Sequence, residues 1–206
     1  MTNIIENNTI AKFETLSLPP LVLASASPRR AEILRAVGWH FEKITADVDE
    51  TLFATETPPS YVERLARTKA KTIAEKNENK LVLGADTTVV VDDEIIGKPT
   101  DLDDARRMLK KLAGKWHEVL TGVALFKKTA DGLTYRDGHQ LTRVKFAELS
   151  SGETEFLVQQ GAPLDKAGGY AVQGAAALFI EQIVGDYWNV VGLPINLVYC
   201  LLKEFN

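Results

Sequence analysis

The sequence is poor in residues that form disulfides or bind soft metals. Its 206 residues include one cysteine, two methionines and three histidines. A single cysteine excludes an internal disulfide, and the position of Cys200 in an apolar helical pattern favours a packed thiol over a nucleophile. His40, His117 and His139 do not have the spacing of metal ligands, so we expect them to be structural or surface residues.

The sequence also lacks long apolar runs and an excess of basic residues. No segment is apolar enough over a sufficient length to span a bilayer, and the first twenty residues contain acids and asparagines where a signal peptide has a basic start. The formal net charge is -4 and the pI is about 5.5. Any anion-binding site must therefore be local. These absences predict a cytoplasmic protein with neither a nucleic-acid nor a membrane partner.

Strand-like and helix-like patterns alternate along the chain, which predicts an α/β fold. With 45% hydrophobic residues the chain can bury a full core. We expect residues 1–20 to be an N-terminal extension and residues 21–206 to be one domain. The predicted helices cover residues 29–37, 60–76, 101–112 with Thr100 and Asp103 as a capping pair, a segment after 150 opened by a capping box of Ser150 and Glu153, and a segment opened by Pro194. The predicted strands cover the residues from 21 to the first turn before Ser27, 41–48, 81–83, 88–91, 118–127 and 140–149. Residues 84–87 are expected to form a hairpin or a bend in a strand, and turns are expected at 131–132 and 137–138.

Two adjacent arginines open the first predicted helix. Ser27 suits the N-cap and Pro28 the first helical position, so Arg29 and Arg30 fall in the first turn. Cations there oppose the helix dipole unless an anion lies among them, and phosphate is the simplest such anion. The alternative is that both side chains point into solvent, where screening makes the repulsion cheap.

Further charged residues occur at positions that are usually apolar in a protein core. Lys69 falls on the apolar face of the helix 60–76, where it either reaches to solvent or faces a cavity holding an anion. Asp86 follows the buried strand 81–83 at its carboxyl end, where open α/β sheets bind ligands, although an Asx turn is the alternative. A triphosphate needs several cations, whereas Mg²⁺ prefers a few carboxylate oxygens. The other candidates are Lys98, Lys166, Asp49, Glu50 and Asp165.

Several common phosphate and acyl chemistries are excluded by missing motifs. The chain has no P-loop, no dinucleotide fingerprint after a strand and no serine nucleophile elbow. Phosphoryl chemistry by direct attack of water is the chemistry that remains.

Five short stretches and two single residues, in order along the chain, resemble one known family. They are residues 25–30 (Ser-Ala-Ser-Pro-Arg-Arg) with Glu50 and Lys69, residues 84–87 (Gly-Ala-Asp-Thr), 97–99 (Gly-Lys-Pro), 165–174 and 191–194. From residue 21 to its end the chain closely resembles the Maf family of nucleoside triphosphate pyrophosphatases. The resemblance implies an elongated mixed sheet flanked by helices, with two lobes around a central cleft as in the inosine triphosphate pyrophosphatases. It also implies a divalent metal (Mg or Mn) and hydrolysis of a nucleoside triphosphate to its monophosphate and pyrophosphate. The resemblance is compatible with a homodimer.

The resemblance assigns roles to matching residues. Ser25, Arg29, Arg30, Lys69, Lys98 and Lys166 would bind the phosphates, while Asp86 and Glu50 would hold the metal or activate water, with Lys98 assisting catalysis. Arg29, Thr87 and Gln173 match the branch that acts on dTTP and UTP, and Gln173 offers a donor and an acceptor to a pyrimidine edge. The function predicted is nucleotide-pool housekeeping on dTTP, UTP or modified pyrimidines. The alternatives are a pyrophosphatase of another base, such as 7-methyl-GTP, and a non-catalytic nucleotide-binding regulator.

Overall fold

The computed structural model describes residues 17–205, within which the chain forms seven strands and six α-helices. The strands are β1 (Leu21–Leu23), β2 (Phe41–Lys43), β3 (Leu81–Val91), β4 (Glu94–Ile96), β5 (Trp116–Thr129), β6 (Gly132–Phe146) and β7 (Ile180–Val184). The helices are α1 (Pro28–Ala36), α2 (Pro58–Ala74), α3 (Leu102–Leu112), α4 (Ser151–Gln160), α5 (Tyr187–Val191) and α6 (Ile195–Lys203).

Most of the predicted extension, residues 1–16, lies outside the described residues. Of residues 17–20, Leu18 packs against the apolar core. The carbonyl of Pro19 accepts a hydrogen bond of 2.8 Å from the indole of Trp39. The last residues of the predicted extension therefore contact the domain that follows them.

The strands form one mixed sheet in the order β2-β1-β3-β5-β6-β7, with β4 paired to β3. β1 runs parallel to β2 and β3, and the remaining pairs are antiparallel. The predicted mixed α/β architecture is confirmed.

An interruption in the pairing of β3 creates the cleft. One edge of β3 pairs with β5 through residues 81–90. The other edge pairs with β1 at residues 81–83 and with β4 at residues 89–91. In the described part of the chain, residues 84–88 thus have no partner strand on that edge. Such an unpaired stretch leaves room for a ligand beside the strand.

Two apolar clusters lie at the two ends of β3. The first contains Leu81 and Leu83 together with residues of α1 and α6. The second contains Val89 and Val91 with residues of α3 and α4. The polar residues 86–88 lie between these clusters, so the cleft is bordered on both sides by packed core.

Two glycines allow α2 to lie directly on the sheet. A Cβ atom at Gly84 would lie 2.3 Å from the carbonyl oxygen of Ala66, and one at Gly122 would lie 2.3 Å from that of Val62. Any larger residue would therefore collide with the backbone of the helix. This close contact places Lys69, on the buried face of α2, over the centre of β3.

Two predictions of where strands begin or end are wrong because tertiary packing overrides local sequence. The structure shows β3 as one continuous strand, so Asp86 lies inside the strand and not at its end. Gly84 is small because of the overlying helix and does not mark a turn. Asp137 and Gly138 lie within β6. The turn before β6 is formed at residues 130–131, next to the other turn that was predicted, at 131–132. Asp137 is held there by an ion pair with Arg67 of α2.

Helix ends agree with prediction more closely than strand ends. The capping box of Ser150 and Glu153 at α4 is confirmed, with hydrogen bonds in both directions. Asp101, and not the expected Thr100, caps α3 by accepting from the amide of Asp104. Ser27 occupies the N-cap position of α1, but its side chain makes no capping bond.

No helix within residues 17–205 has the length and apolarity needed to cross a membrane.

Candidate active site

A cavity of about 470 Å³ opens beside residues 84–88 of β3. Its walls come from the β1–α1 junction, the loop before α2, α2 itself, β3, the turn after β4 and the segment 165–173. Eleven of the twelve candidate residues line it: Ser25, Arg29, Arg30, Glu50, Lys69, Asp86, Thr87, Lys98, Asp165, Lys166 and Gln173. Asp49 does not line the cavity; it is exposed and accepts hydrogen bonds from the amide and the hydroxyl of Thr51. The structure therefore brings together side chains from segments far apart in the chain.

Arg30 is a buried cation whose bonded partners are all neutral. Its Nε donates to the carbonyl of Gly192 (2.8 Å), and its two terminal nitrogens donate to the hydroxyls of Ser25 (2.8 Å) and Thr87 (3.0 Å). No carboxylate of residues 17–205 forms an ion pair with it. Burial lowers the pKa of Arg30, but an arginine stays charged in proteins. A buried charge without a counter-ion is costly, so this site favours an anionic ligand.

Lys69 joins the two carboxylates of the cavity. Its Nζ lies 2.5 Å from Glu50 Oε1 and 2.6 Å from Asp86 Oδ1. Lys69 and Asp86 are both about 8% exposed, which confirms that the lysine on the apolar face of α2 points inward. Because one ammonium group binds both carboxylates, their oxygens converge at one wall of the cavity.

The two carboxylates differ in their affinity for protons. Burial raises the pKa of Asp86 above its ordinary value, although the charges of Lys69 and Arg30 oppose the rise. Burial also disfavours ionisation of Glu50, but the hydrogen bond and charge of Lys69 outweigh it and lower the pKa of Glu50. Asp86 is thus the better proton acceptor of the pair, and Glu50 the more firmly ionised.

Arg29 and Lys166 share a third carboxylate. Arg29 Nη1 lies 3.2 Å from Asp165 Oδ2, and Lys166 Nζ lies 2.5 Å from Asp165 Oδ1. Lys98 is exposed at the cavity wall and forms neither a hydrogen bond nor an ion pair with any other described residue. The cations of the cavity therefore range from fully paired to unpaired.

Ser25 and Thr87 connect Arg30 to the sheet. Ser25 Oγ accepts bonds from Arg30 and from the amide of Ser27, which leaves its own proton for another acceptor. Thr87 Oγ1 accepts from Arg30 and lies 2.9 Å from the hydroxyl of Thr121. Gln173 is exposed at the rim of the cavity. These contacts fix the guanidinium and leave the Gln173 amide accessible.

Two tyrosines line the cavity wall although no role was predicted for either. Tyr61 donates a hydrogen bond of 2.9 Å to the carbonyl of Glu50 and thereby fixes the loop carrying that carboxylate. Burial raises the pKa of Tyr61 to about 12, so its hydroxyl stays a donor. The spacing of Tyr61 and Lys69, eight residues apart on one helix face, was a usable signal.

Tyr170 is the second tyrosine, and it is anchored from behind the cavity. Its hydroxyl and Nε2 of the buried His117 are 2.6 Å apart. His117 comes from β5, which is distant in sequence, so no local pattern could have revealed the pair.

The carboxylates fit a hard divalent cation that keeps part of its water. Among residues 17–205 no group of three or more histidine, cysteine, aspartate and glutamate side chains converges, so these residues form no complete metal cage. Asp86 and Glu50 do present converging carboxylate oxygens. One or two carboxylates together with water and substrate phosphates are the ligand set that Mg²⁺ prefers.

Comparison with solved structures shows the fold. A Ham1 protein of Staphylococcus aureus and a HAM1 protein of Coxiella burnetii each match with a TM-score of 0.52 and 15% identity, covering 91% of this chain and 100% of the other. At this identity the likeness concerns the fold alone. It confirms the predicted α/β fold class.

Comparison of sequences shows the family. The family model of the Maf-like proteins matches residues 20–205. A dTTP/UTP pyrophosphatase of Geotalea uraniireducens (strain Rf4) is 50% identical over 89% of this chain and 94% of that protein. Proteins with the same description from Symbiobacterium thermophilum and Bacillus anthracis are 46% and 45% identical, each over 90% of this chain and at least 93% of their own length. The chain therefore belongs to the Maf family.

Proposed function

We propose that this protein hydrolyses dTTP and UTP to the monophosphate and pyrophosphate, and so removes unwanted pyrimidine nucleotides from the cytoplasmic pool. The observation that carries the proposal is the meeting of cations and carboxylates from separate segments in one cavity. The similarity to proteins described as dTTP/UTP pyrophosphatases supports the choice of substrate.

The cations supply the binding of the triphosphate. Arg30 uses three of its five N–H groups within the protein, which leaves two for a phosphate oxygen. Lys98 adds an unpaired charge to the same cavity, and the hydroxyl proton of Ser25 is available as a donor. Together they place positive charge where the phosphate chain and the departing pyrophosphate accumulate negative charge.

Asp86 and Glu50 would hold a divalent cation, Mg or Mn, through their converging oxygens. Such an ion, when bound, offsets phosphate charge and makes bound water more acidic. Asp86 orients the attacking water and takes its proton. Lys69 holds both carboxylates in place. Water then attacks the α-phosphorus, and pyrophosphate leaves.

Thr87 and Gln173 supply the preference for the base. Gln173 lies exposed at the rim, where its amide can donate to and accept from a uracil or thymine edge. Thr87 is half-buried deeper in the cavity and is held by Arg30 and Thr121.

The decisive experiment identifies the products and the bond that is broken. Purified protein is incubated with Mg²⁺ or Mn²⁺ and a panel of triphosphates in ¹⁸O-water. We expect dTTP and UTP to give monophosphate and pyrophosphate, with ¹⁸O in the monophosphate because water attacks the α-phosphorus. Diphosphate plus phosphate, ¹⁸O in the pyrophosphate, or no turnover contradicts the proposal.

Imido analogues provide a matched control. The β,γ-imido analogue of dUTP retains the scissile bond and should be hydrolysed, whereas the α,β-imido analogue should only bind. Faster turnover of 7-methyl-GTP than of dTTP and UTP would contradict the proposed pyrimidine preference but not the proposed pyrophosphatase reaction.

A further inference from the structure

One carboxylate, that of Asp165, contacts two cations of the cavity at once. Asp165 Oδ2 accepts from Arg29 at 3.2 Å, and its other oxygen lies 2.5 Å from Lys166 Nζ. The backbone carbonyl of Asp165 also accepts from Arg29 at 3.4 Å. Both cations line the cavity beside the unpaired Lys98. The carboxylate of Asp165 thus occupies the position in which Arg29 and Lys166 would otherwise bind a phosphate group.

The contact spans the mouth of the cleft. Arg29 belongs to α1, which packs into the first apolar cluster. Asp165 belongs to a 3₁₀ turn, Pro163–Asp165, next to a segment that packs on the other side. A Cβ atom added at Gly168 of that segment would lie 3.2 Å from Val89 and 3.4 Å from Leu112 of the second cluster. The ion pair therefore holds Arg29 toward the opposite wall.

This pair is easy to exchange. The side chain of Asp165 is 56% exposed and that of Arg29 is 23% exposed, so water screens the attraction and can hydrate the carboxylate once it is released. A phosphate carries more charge than a carboxylate and accepts the paired N–H groups of arginine equally well. A polyphosphate can therefore replace Asp165, but it must first displace it.

We propose that Asp165 is a positioning residue that holds Arg29 and Lys166 in the cavity and competes with phosphate for both. The proposal rests on the proposed function. The carboxylate raises the dissociation constants of the triphosphate and of pyrophosphate, and its return to Arg29 promotes the departure of pyrophosphate. Removing it gives tighter binding, a direction that a purely structural role does not predict.

The test compares Asp165→Asn with the wild-type protein. The dissociation constant of α,β-imido-dUTP and the inhibition constant of pyrophosphate should each fall about two- to fivefold, the range expected for removal of an exposed ion pair. We expect kcat to stay constant or fall while KM falls, because slower product release does not impair binding. Asp137→Asn, which removes an aspartate–arginine pair outside the cleft, is the matched control and should change none of these constants.

Further variants test whether tighter binding by Asp165→Asn could result from altered folding. Asp165→Ser removes the same carboxylate and should show the same tightening. In an Arg29→Gln background the effect of Asp165→Asn should shrink, since one of the two competing contacts is already lost. Unchanged or weaker binding in both Asp165 variants, or equal tightening in the Asp137 control, overturns the proposal. If the wild-type protein hydrolyses no triphosphate, the proposed function fails, and the dissociation constant of α,β-imido-dUTP, which needs no turnover, still decides whether Asp165 competes.

Discussion

At the scale of the residue, Arg30 differs most from an ordinary core side chain. It is about 8% exposed, and all its hydrogen-bond partners are uncharged. From the sequence alone we expect an anion near Arg30, because two adjacent arginines lie in the first turn of a helix. The sequence did not reveal the three partners, since Thr87 and Gly192 reach Arg30 only through the fold.

Asp86→Asn tests the role of the buried carboxylate. The change removes the proton acceptor, so we expect kcat to fall by about 10²- to 10⁴-fold, the usual contribution of a general base. Stability should change little, because Lys69 keeps its pair with Glu50 at 2.5 Å. Steady-state kinetics and thermal unfolding measure the two effects.

Asp93→Asn is the control for this substitution. Asp93 lies in the exposed turn between β3 and β4 with a φ of 61°, which asparagine also tolerates. It should retain wild-type activity. An active Asp86→Asn variant would remove Asp86 from its proposed role.

His117 makes the stability of the protein sensitive to acid. Burial lowers the pKa of His117 to about 4 from 6.5. The folded state thus binds a proton less readily than the unfolded chain, so stability is complete above pH 6.5 and declines as the pH falls toward 4. The contribution lost by pH 5 is about 2 kcal/mol.

His117→Gln should flatten this pH dependence. Glutamine cannot take up a proton and can still bond the Tyr170 hydroxyl. Urea unfolding at pH 7 and pH 5 measures the difference, with the exposed His40→Gln as control. A wild-type slope in the His117 variant would contradict the account.

At the scale of the element, local signals predicted helices better than strands. Pro28, the box of Ser150 and Glu153, and Pro194 act within a few residues, and each marks a helix start in the structure. Gly84 suggested a hairpin or a bend in the strand, whereas it lacks a side chain because Ala66 of α2, eighteen residues earlier, lies directly over it. Strand continuity depends on such distant neighbours, which a single sequence does not display.

Gly84→Ala tests the contact between α2 and β3. The added Cβ would lie 2.3 Å from Ala66 O and 2.7 Å from Ala70 N, so the helix must move. We expect a destabilisation of about 1–3 kcal/mol. We also expect kcat, corrected for the fraction of folded protein, to fall, because the displacement of α2 moves Lys69 away from Asp86.

Gly138→Ala is the matched substitution in β6. The nearest atom to its Cβ is a side-chain carbon of Leu197 at 3.9 Å, an ordinary contact. This variant should be stable and active. Equal behaviour of the two alanine variants would show that the close approach of α2 is unimportant.

At the scale of the whole molecule, both apolar clusters share the strands β3 and β5. We therefore propose that residues 21–206 form one cooperative domain despite the cleft. Calorimetry should show a single transition, with equal van't Hoff and calorimetric enthalpies. Two separate transitions would divide the domain at the cleft.

The sequence placed the charged residues of the cleft but not its shape. Arg29, Arg30 and Lys69 were recognisable because each was out of place locally. Glu50 and Lys98 received their roles from the resemblance to the family. The gap beside residues 84–88 depends on where β1 ends and β4 begins against β3, which is a matter of register. Only the folded chain shows that this gap lies beside the cavity that the charged residues line.

The most direct measurement of the central claim is a crystal structure of the protein with α,β-imido-dUTP and Mg²⁺. We predict that the phosphate chain lies beside residues 84–88 of β3, in contact with Arg30 and Lys98, with the metal bound on the side of Asp86. A nucleotide bound with its phosphates outside this cavity, or with its phosphates remote from both cations, would contradict the account.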